Sequence, residues 1–440
     1  MDWNRLLTEK RIRPSQRQDD ARSAFESDFG RITFSPATRR MHAKTQVFPL
    51  TDDDNIHSRL THSLEVMTLG YSFSILFCDS PLFQKRTGKS NYELFREIPV
   101  ILKNGCLIHD IGNPPFGHFG ETVIQEYFRD FFNRPDFNLR LTDGQRHDFE
   151  HFDGNAQGLR VLTKLQNLND CFGLNLTCAT LASCLKYPNF GPIDKSRLET
   201  KKVGIFQSEI GHARIIAEQC GLMRDDRIVR HPLCYLVEAA DSICYLTMDL
   251  EDGFKKGLYT LQMLKETIGD DFPEISTYLS ENIPDSAKIT KIRNGLIGKL
   301  VNLAYRNFED HIDEIEEGTF NRELIFSATP LADHLQKFCI EKIFSINDIY
   351  HLEMVGHSVL TWLLDFYINN LIFKGKEYRS RTLALMSESI LRTALDETES
   401  ATFDELSDYY KLRVIVDFIA GMTDRFALKT YRELSGNGRF

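Results

Sequence analysis

Residues 97–111, Glu97-Ile98-Pro99-Val100-Ile101-Leu102-Lys103-Asn104-Gly105-Cys106-Leu107-Ile108-His109-Asp110-Ile111, decide the fold. Apart from a few polar positions and the terminal His-Asp pair the run is apolar, and it is too long for an ordinary strand, so it reads as a buried helix. Gly112 closes it, and Asn113-Pro114-Pro115 forbids continuation, because proline lacks the N–H a helix needs. A second apolar run, 232–250 (PLCYLVEAADSICYLTMDL), opens with a proline suited to a first helical turn. Upstream, 59–77 places Leu60, Leu64, Met67, Tyr71 and Ile75 at steps of three or four, the period of one helical face. Further helices are predicted over 156–170, 176–187 and 208–221, then near 260–268, 288–316, 330–346, 350–373, 380–395 and 409–432. Residues 133–155 and 396–408 read as loops, the first long enough to serve as a lid. Strand alternation is scarce, so the chain reads as all-α, one large helical domain with an added C-terminal helical subregion.

With 42% hydrophobic and 26% charged residues over 440 positions, the chain can bury a substantial core. No apolar run is long enough to span a bilayer, and the N-terminus lacks the apolar centre of a secretory signal. Nine cysteines occur singly, which argues against both a disulfide framework and a zinc-thiolate site and fits a reduced, cytoplasmic setting. The net charge of −10 disfavours a protein devoted to nucleic acid. Residues 1–45 are nonetheless basic, with ten Lys/Arg against six Asp/Glu. Such a segment either faces phosphates or is simply solvated surface.

Four residues in three predicted helices carry the chemistry: His62, the pair His109-Asp110, and Asp241. Asp241 lies within Ala239-Ala240-Asp241-Ser242-Ile243, and a carboxylate in such apolar company needs a cation, a hydrogen-bond network or a raised pKa. Tyr245 and Asp249 follow at i+4 and i+8, which gives one polar stripe on an apolar helix. A buried salt bridge is the competing reading of Asp241, and a core histidine beside a capping aspartate that of His109-Asp110. Two imidazoles and two carboxylates otherwise make a good divalent-metal set, suited to manganese, iron, cobalt, nickel or zinc, with magnesium admitted by the oxygens.

The order H…HD…D resembles the HD superfamily of metal-dependent phosphohydrolases. Residues 108–121, Ile-His-Asp-Ile-Gly-Asn-Pro-Pro-Phe-Gly-His-Phe-Gly-Glu, are similar to the signature of dGTPase-like deoxynucleoside triphosphate triphosphohydrolases. Four further segments agree: Asp28-Phe29-Gly30-Arg31-Ile32, Lys44-Thr45-Gln46-Val47-Phe48, Gly154-Asn155-Ala156-Gln157-Gly158 and Ala420-Gly421-Met422-Thr423-Asp424. The matches run from about residue 20 to 255 and resume near 415.

The resemblance implies an HD-domain bundle in three parts: a basic segment 1–50 packing on the core, the core itself at 51–255, and a C-terminal helical subregion at 256–440 of the same domain. It implies metal ligation by His62, His109, Asp110 and Asp241, with Mn²⁺ or Mg²⁺ foremost and Co²⁺, Fe²⁺, Ni²⁺ or Zn²⁺ as alternatives. His118 and Glu121 become the catalytic pair, an imidazole that protonates the departing 5′-oxygen and a carboxylate that orients it. Arg59 is expected on the α-phosphate, Lys186 and Lys202 on the triphosphate, and Gln46, Tyr245 and Asp249 on the sugar. The expected reaction releases deoxynucleoside and intact tripolyphosphate from a dNTP, dGTP included. Relatives also imply a homo-oligomer, often a hexamer, and nucleotide or single-stranded DNA effectors. Asp153 stands where glutamate is expected, and His147 and His151 are candidates to join His118 near the site. Other HD nucleotide phosphohydrolases (a monophosphatase or an alarmone hydrolase) share the four ligands but not the Asn113–Glu121 segment. A catalytically silent nucleotide-binding regulator is disfavoured by the complete ligand set.

Overall fold

A computed structural model describes residues 1–14, 21–48, 50, 56–166 and 172–436. Among them the only strands are the two-residue pair Met223–Arg224 and Arg227–Ile228. The protein is all-α, an HD-type helical bundle with additional C-terminal helices.

Three helices frame the site. Arg59–Asp79 begins at Ser58, whose hydroxyl accepts from the Thr61 amide while the Thr61 hydroxyl accepts from the Ser58 amide, a reciprocal cap. Ile98–Ile108 starts with a first-turn proline and stops short of the expected residue 111. The chain turns at His109-Asp110 because Asn113 bonds back locally, its amide to the Asp110 carbonyl at 3.2 Å and its Nδ2 to Asp110 Oδ1 at 2.8 Å. Pro232–Lys255 outruns the expected Leu250 by one turn, supported by a Glu251–Lys255 ion pair at 3.0 Å. The three pack on one another and bury Val66, Phe73, Ile101, Leu236 and Ile243. Each such side chain contributes about 1.5–3 kcal/mol relative to exposure.

A second apolar cluster joins Gly117–Phe132 to Asn347–Ile368 and Asp408–Ala420 through Phe128, Leu360, Tyr367 and Ile415. Val123, Ile124, Tyr127, Phe128, Phe131 and Phe132 recur at helical spacing in Gly117–Phe132, although its glycines and the preceding prolines read as breakers. Gly120 is nevertheless required there, since a Cβ would come within 2.0 Å of the Pro115 carbonyl oxygen.

Other expected boundaries also shift. Within 133–155, Thr142 and Gln145 cap a helix over Asp143–Glu150, so that stretch is not loop throughout. The helix expected over 156–170 is Gly154–Arg160 followed by a π-helical turn, Val161–Leu165; residues 167–170 lie outside the described residues. The 288–316 helix divides at His311, and 380–395 divides into Lys376–Leu383 and Glu388–Thr398. The 409–432 helix divides at Gly421-Met422-Thr423, where the Thr423 hydroxyl caps Asp424–Leu434. Helices near 330–346 and 350–373 end in π-helical turns, Ile340–Phe344 and Asn369–Phe373. The basic segment 1–50 carries helices at Trp3–Leu6, Ala24–Thr33 and Pro36–Arg40, and Trp3, Phe25 and Ile32 enter the main core. Residues 15–20 and 49 of that segment lie outside the described residues. Among the described residues no single helix is long and apolar enough to cross a membrane.

Candidate active site

His62 comes from the first turn of Arg59–Asp79, His109 and Asp110 from the end of Ile98–Ile108, and Asp241 from the middle of Pro232–Lys255. His62 Nε2 lies 3.1 Å from Asp241 Oδ1, and His109 Nε2 lies 3.4 Å from the same oxygen. These three residues each offer one ligand atom, all within 4.8 Å of one another. Asp110 Oδ2 is 3.6 Å from His109 Nε2, but it also takes a hydrogen bond from Arg59 Nη1.

The donor set fits a divalent cation. His109 Nδ1 faces the Cys106 carbonyl oxygen at 2.7 Å, so Nδ1 carries the proton and Nε2 presents its lone pair to the cluster. That Nε2 is buried without a hydrogen-bond partner among the described residues. A buried polar atom left so costs about 1–3 kcal/mol. Burial disfavours the imidazolium, yet the Asp110 and Asp241 charges outweigh it and push the His109 pKa up to about 9. A metal therefore competes with a proton here. Burial opposes ionisation of Asp241 as well, but Lys186 and His109 hold its carboxyl below the usual range. At Asp110, Arg59 and His109 overcome burial in the same way. A second group, His62, Glu65 and Cys244, is comparably close. It is the poorer set, because burial and the Glu65 charge raise the Cys244 thiol and keep it neutral, and Glu65 is engaged by His57.

Beside the cluster opens a cavity of about 450 Å³, a volume suited to a small-molecule ligand. His109, Asp110, His118 and Asp241 line it, as do Gln46, Arg59, Lys186, Lys202, Tyr245 and Asp249. His62 and Glu121, both buried, are not among its lining residues. A larger cavity of about 580 Å³, bordered by Arg40, Lys44, Leu385 and Asp417, holds none of the sequence-predicted site residues.

One side of the smaller cavity is cationic. Lys186 Nζ lies 2.9 Å from Asp241 Oδ2, and Lys202 Nζ lies 2.9 Å from Asp153 Oδ2. Burial alone would depress both lysines, but Asp241 and Asp153 respectively hold them charged. Arg59 is buried and keeps its Nε without a partner among the described residues. Gly117, at φ +59°, passes so close that a Cβ would sit 2.6 Å from Arg59 Nη2. His118, in the first turn of Gly117–Phe132, is 71% exposed at its side chain, and its Nδ1 lies 2.9 Å from Glu121 Oε2. Glu121 Oε1 accepts the Gly154 amide at 2.8 Å, so the carboxylate is fixed at both oxygens. The Glu121 charge and hydrogen bond raise the His118 pKa. Nε2 is left for the cavity.

At the other end two polar groups lack partners among the described residues. Gln46 Oε1 is buried without a partner, and Asp249, 5% exposed, makes no hydrogen bond among the described residues. Burial and Asp252 push the Asp249 pKa up, against the opposing pull of His57. The Tyr245 hydroxyl accepts from Gln336 Nε2 at 3.3 Å.

Several supporting residues lie within the sequence motifs but carry no local signal of their role. Asp424 is buried and accepts both the Thr45 and the Phe116 amides at 3.0 Å, clamping two cavity-lining segments. Lys44 Nζ donates to the Asn113 and Ala420 carbonyls, and burial pulls its pKa down to about 7. Asn155 lines the cavity and bonds Asp153 at 2.7 Å. Arg160 is architectural, buried among Glu209, Asp417 and Glu397 at 2.7, 2.8 and 3.1 Å. His147 and His151 pack against each other with tilted rings, 4.4 Å between centroids, and do not line the cavity with His118.

A helical bundle with a His/His/Asp cluster beside a cationic cavity fits a phosphohydrolase, and residues 328–433 match the phosphohydrolase-associated domain. The full chain is 36% identical to a deoxyguanosinetriphosphate triphosphohydrolase-like protein of Listeria innocua, over 99% of this chain and 100% of the relative. A like-named protein of Pseudomonas aeruginosa is 35% identical over 99% of each chain. A deoxyguanosinetriphosphate triphosphohydrolase of Salmonella paratyphi A is 32% identical over 93% of each. The chain belongs to the deoxyguanosinetriphosphate triphosphohydrolase-like family of HD-domain proteins.

Proposed function

We propose that this protein hydrolyses deoxynucleoside triphosphates, dGTP among them, to the deoxynucleoside and tripolyphosphate, and so controls deoxynucleotide pools. The observation that carries the reading is the partnerless His109 Nε2 facing Asp241 and Asp110 beside a cavity lined by Arg59, Lys186 and Lys202. His62, His109, Asp110 and Asp241 would hold a divalent cation, which would supply Lewis-acid activation of water and offset phosphate charge. Mn²⁺ and Mg²⁺ suit these hard and borderline donors best.

Arg59 holds the α-phosphate through its fork of donors, and Lys186 and Lys202 draw in the remaining phosphates as point charges. Water adds to the α-phosphorus and the bond to the 5′-oxygen breaks. His118, raised in basicity and oriented by Glu121, gives its proton to that oxygen, so the leaving group departs as an alcohol. Tyr245 packs where a 2′-hydroxyl projects and excludes ribonucleotides, while Gln46 and Asp249 take up the sugar hydroxyl.

Product analysis tests this directly. Purified protein with Mn²⁺ or Mg²⁺ is given each dNTP, and the products are resolved by chromatography and phosphorus NMR. Free deoxynucleoside with intact tripolyphosphate is the expected outcome. Orthophosphate or pyrophosphate would move the protein to another class of HD hydrolase, and absence of turnover would favour a silent nucleotide binder.

A further inference from the structure

His57 precedes the cap of helix Arg59–Asp79 and was not singled out from the sequence. Its Nδ1 lies 2.6 Å from Asp252 Oδ2, and its Nε2 lies 3.0 Å from Glu65 Oε1. A neutral imidazole donates from one nitrogen only, so a ring held between two carboxylates carries both protons and is a fixed cation. Its surroundings require one. Glu65 and Asp252 flank the ring, Asp252 is 2% exposed with Oδ1 lacking a partner among the described residues, and burial and the Glu65 charge keep Cys244 a neutral thiol. Asp252 stands three residues after Asp249, on the same face of Pro232–Lys255. Burial, foremost, and the Asp252, Asp241 and Glu65 charges raise the Asp249 pKa, and the His57 charge works against them.

We propose that His57 is a positioning residue for the sugar end of the cavity: its imidazolium bridges Glu65 to Asp252, locks the start of one site helix to the last turns of another, and keeps Asp249 able to bind the substrate's 3′-hydroxyl. The inference rests on the sugar contact proposed above. It assigns to His57 a part in choosing substrates that carry a 3′-hydroxyl over those that do not, without contact between His57 and the nucleotide.

The test compares a dNTP with the matching 2′,3′-dideoxynucleoside triphosphate, by kcat/KM and by equilibrium binding, in wild type, His57→Gln, His57→Arg and Asp252→Asn. The Gln variant removes the charge and keeps one hydrogen-bonding arm, whereas Arg keeps the charge with donors for both carboxylates. The expected result is a preference for the 3′-hydroxyl that falls about tenfold in His57→Gln, carried mainly by KM, and returns in His57→Arg. Asp252→Asn should reproduce the loss if the Gln variant does not fold. An equal fall for both nucleotides, or an unchanged ratio, would overturn the assignment and leave His57 a structural ion pair. A wild type that binds the two nucleotides alike would instead remove the sugar contact itself, and absence of turnover with a preserved binding ratio would sink only the hydrolase reading.

Discussion

Two ends of one cavity, both served by the helix Pro232–Lys255, are built on opposite plans. At the metal end nearly every charge already meets its opposite: Asp241 faces His62 and Lys186, Asp110 faces Arg59, and Glu121 faces His118. At the sugar end, two turns along, Gln46 Oε1 and the Asp249 carboxyl have no partner among the described residues. Pre-paired charges hold a geometry before substrate arrives, as electrostatic preorganisation requires. Unpaired groups in a buried wall are satisfied only by a ligand of matching shape, and this is how a site built to bind a hydroxyl rejects an analogue without it. The contrast separates reactivity, set in advance, from selectivity, completed by the substrate.

The sharpest way to break the comparison is at the shared metal ligand. Asp241→Ala should abolish Mn²⁺ binding by calorimetry and cut turnover at least about 10³-fold, with the helical circular dichroism signal intact. Full activity in that variant would sink the metal assignment. Next in size, Glu121→Gln should lower turnover about 10²-fold while leaving Mn²⁺ affinity in place. The pH profile adds a sign. If His118 is the proposed acid it acts protonated, so activity falls as pH rises through its pKa; Glu121 raises that pKa, and its loss must move the basic limb toward lower pH. A limb that stays put would remove His118 as the acid.

At the sugar end the effect is smaller and different in kind. Tyr245→Ala should admit ribonucleoside triphosphates and shrink the dNTP-to-NTP ratio of kcat/KM about tenfold to 10²-fold. Unaltered discrimination would place the ribose filter elsewhere. The smallest effect concerns stability. Mn²⁺ at about 100 times its Kd should stabilise the fold by about 2.7 kcal/mol, read as a melting temperature a few degrees higher and reversed by chelation. Asp241→Ala should lose that increment, whereas Tyr245→Ala should keep it.

How much the sequence discloses follows the same division. Asp241 between Ala240 and Ser242, and His109 at the end of an apolar run, stand out because polar groups in apolar helices are anomalous, and the structure brings them together. The lining role of Gln46, Arg59, Tyr245 and Asp249 was legible through motifs and helical spacing. His57 was not: its partners Glu65 and Asp252 are 8 and 195 residues away, and a lone histidine before a cap carries no local signal. Lys44 and Asp424 likewise act through backbone groups hundreds of residues distant, which composition and periodicity cannot register. The start of the helix Gly117–Phe132 is masked by glycines that serve close packing, as at Gly120 against Pro115, although Val123 to Phe132 keep a helical period. The breaks at His311 and at Gly421-Met422-Thr423 fall within stretches whose periodicity continues across them.

The Asp424 carboxylate spans 379 residues to reach Thr45 and 308 to reach Phe116. Synthesis runs from residue 45 toward residue 424 at about 5–20 residues per second. From residue 241 to residue 424, about 10–40 s of synthesis, a nascent chain has all four proposed metal ligands yet lacks the clasp that ties the Thr45 and Phe116 segments together. The finished cavity has to wait for residue 424 to emerge.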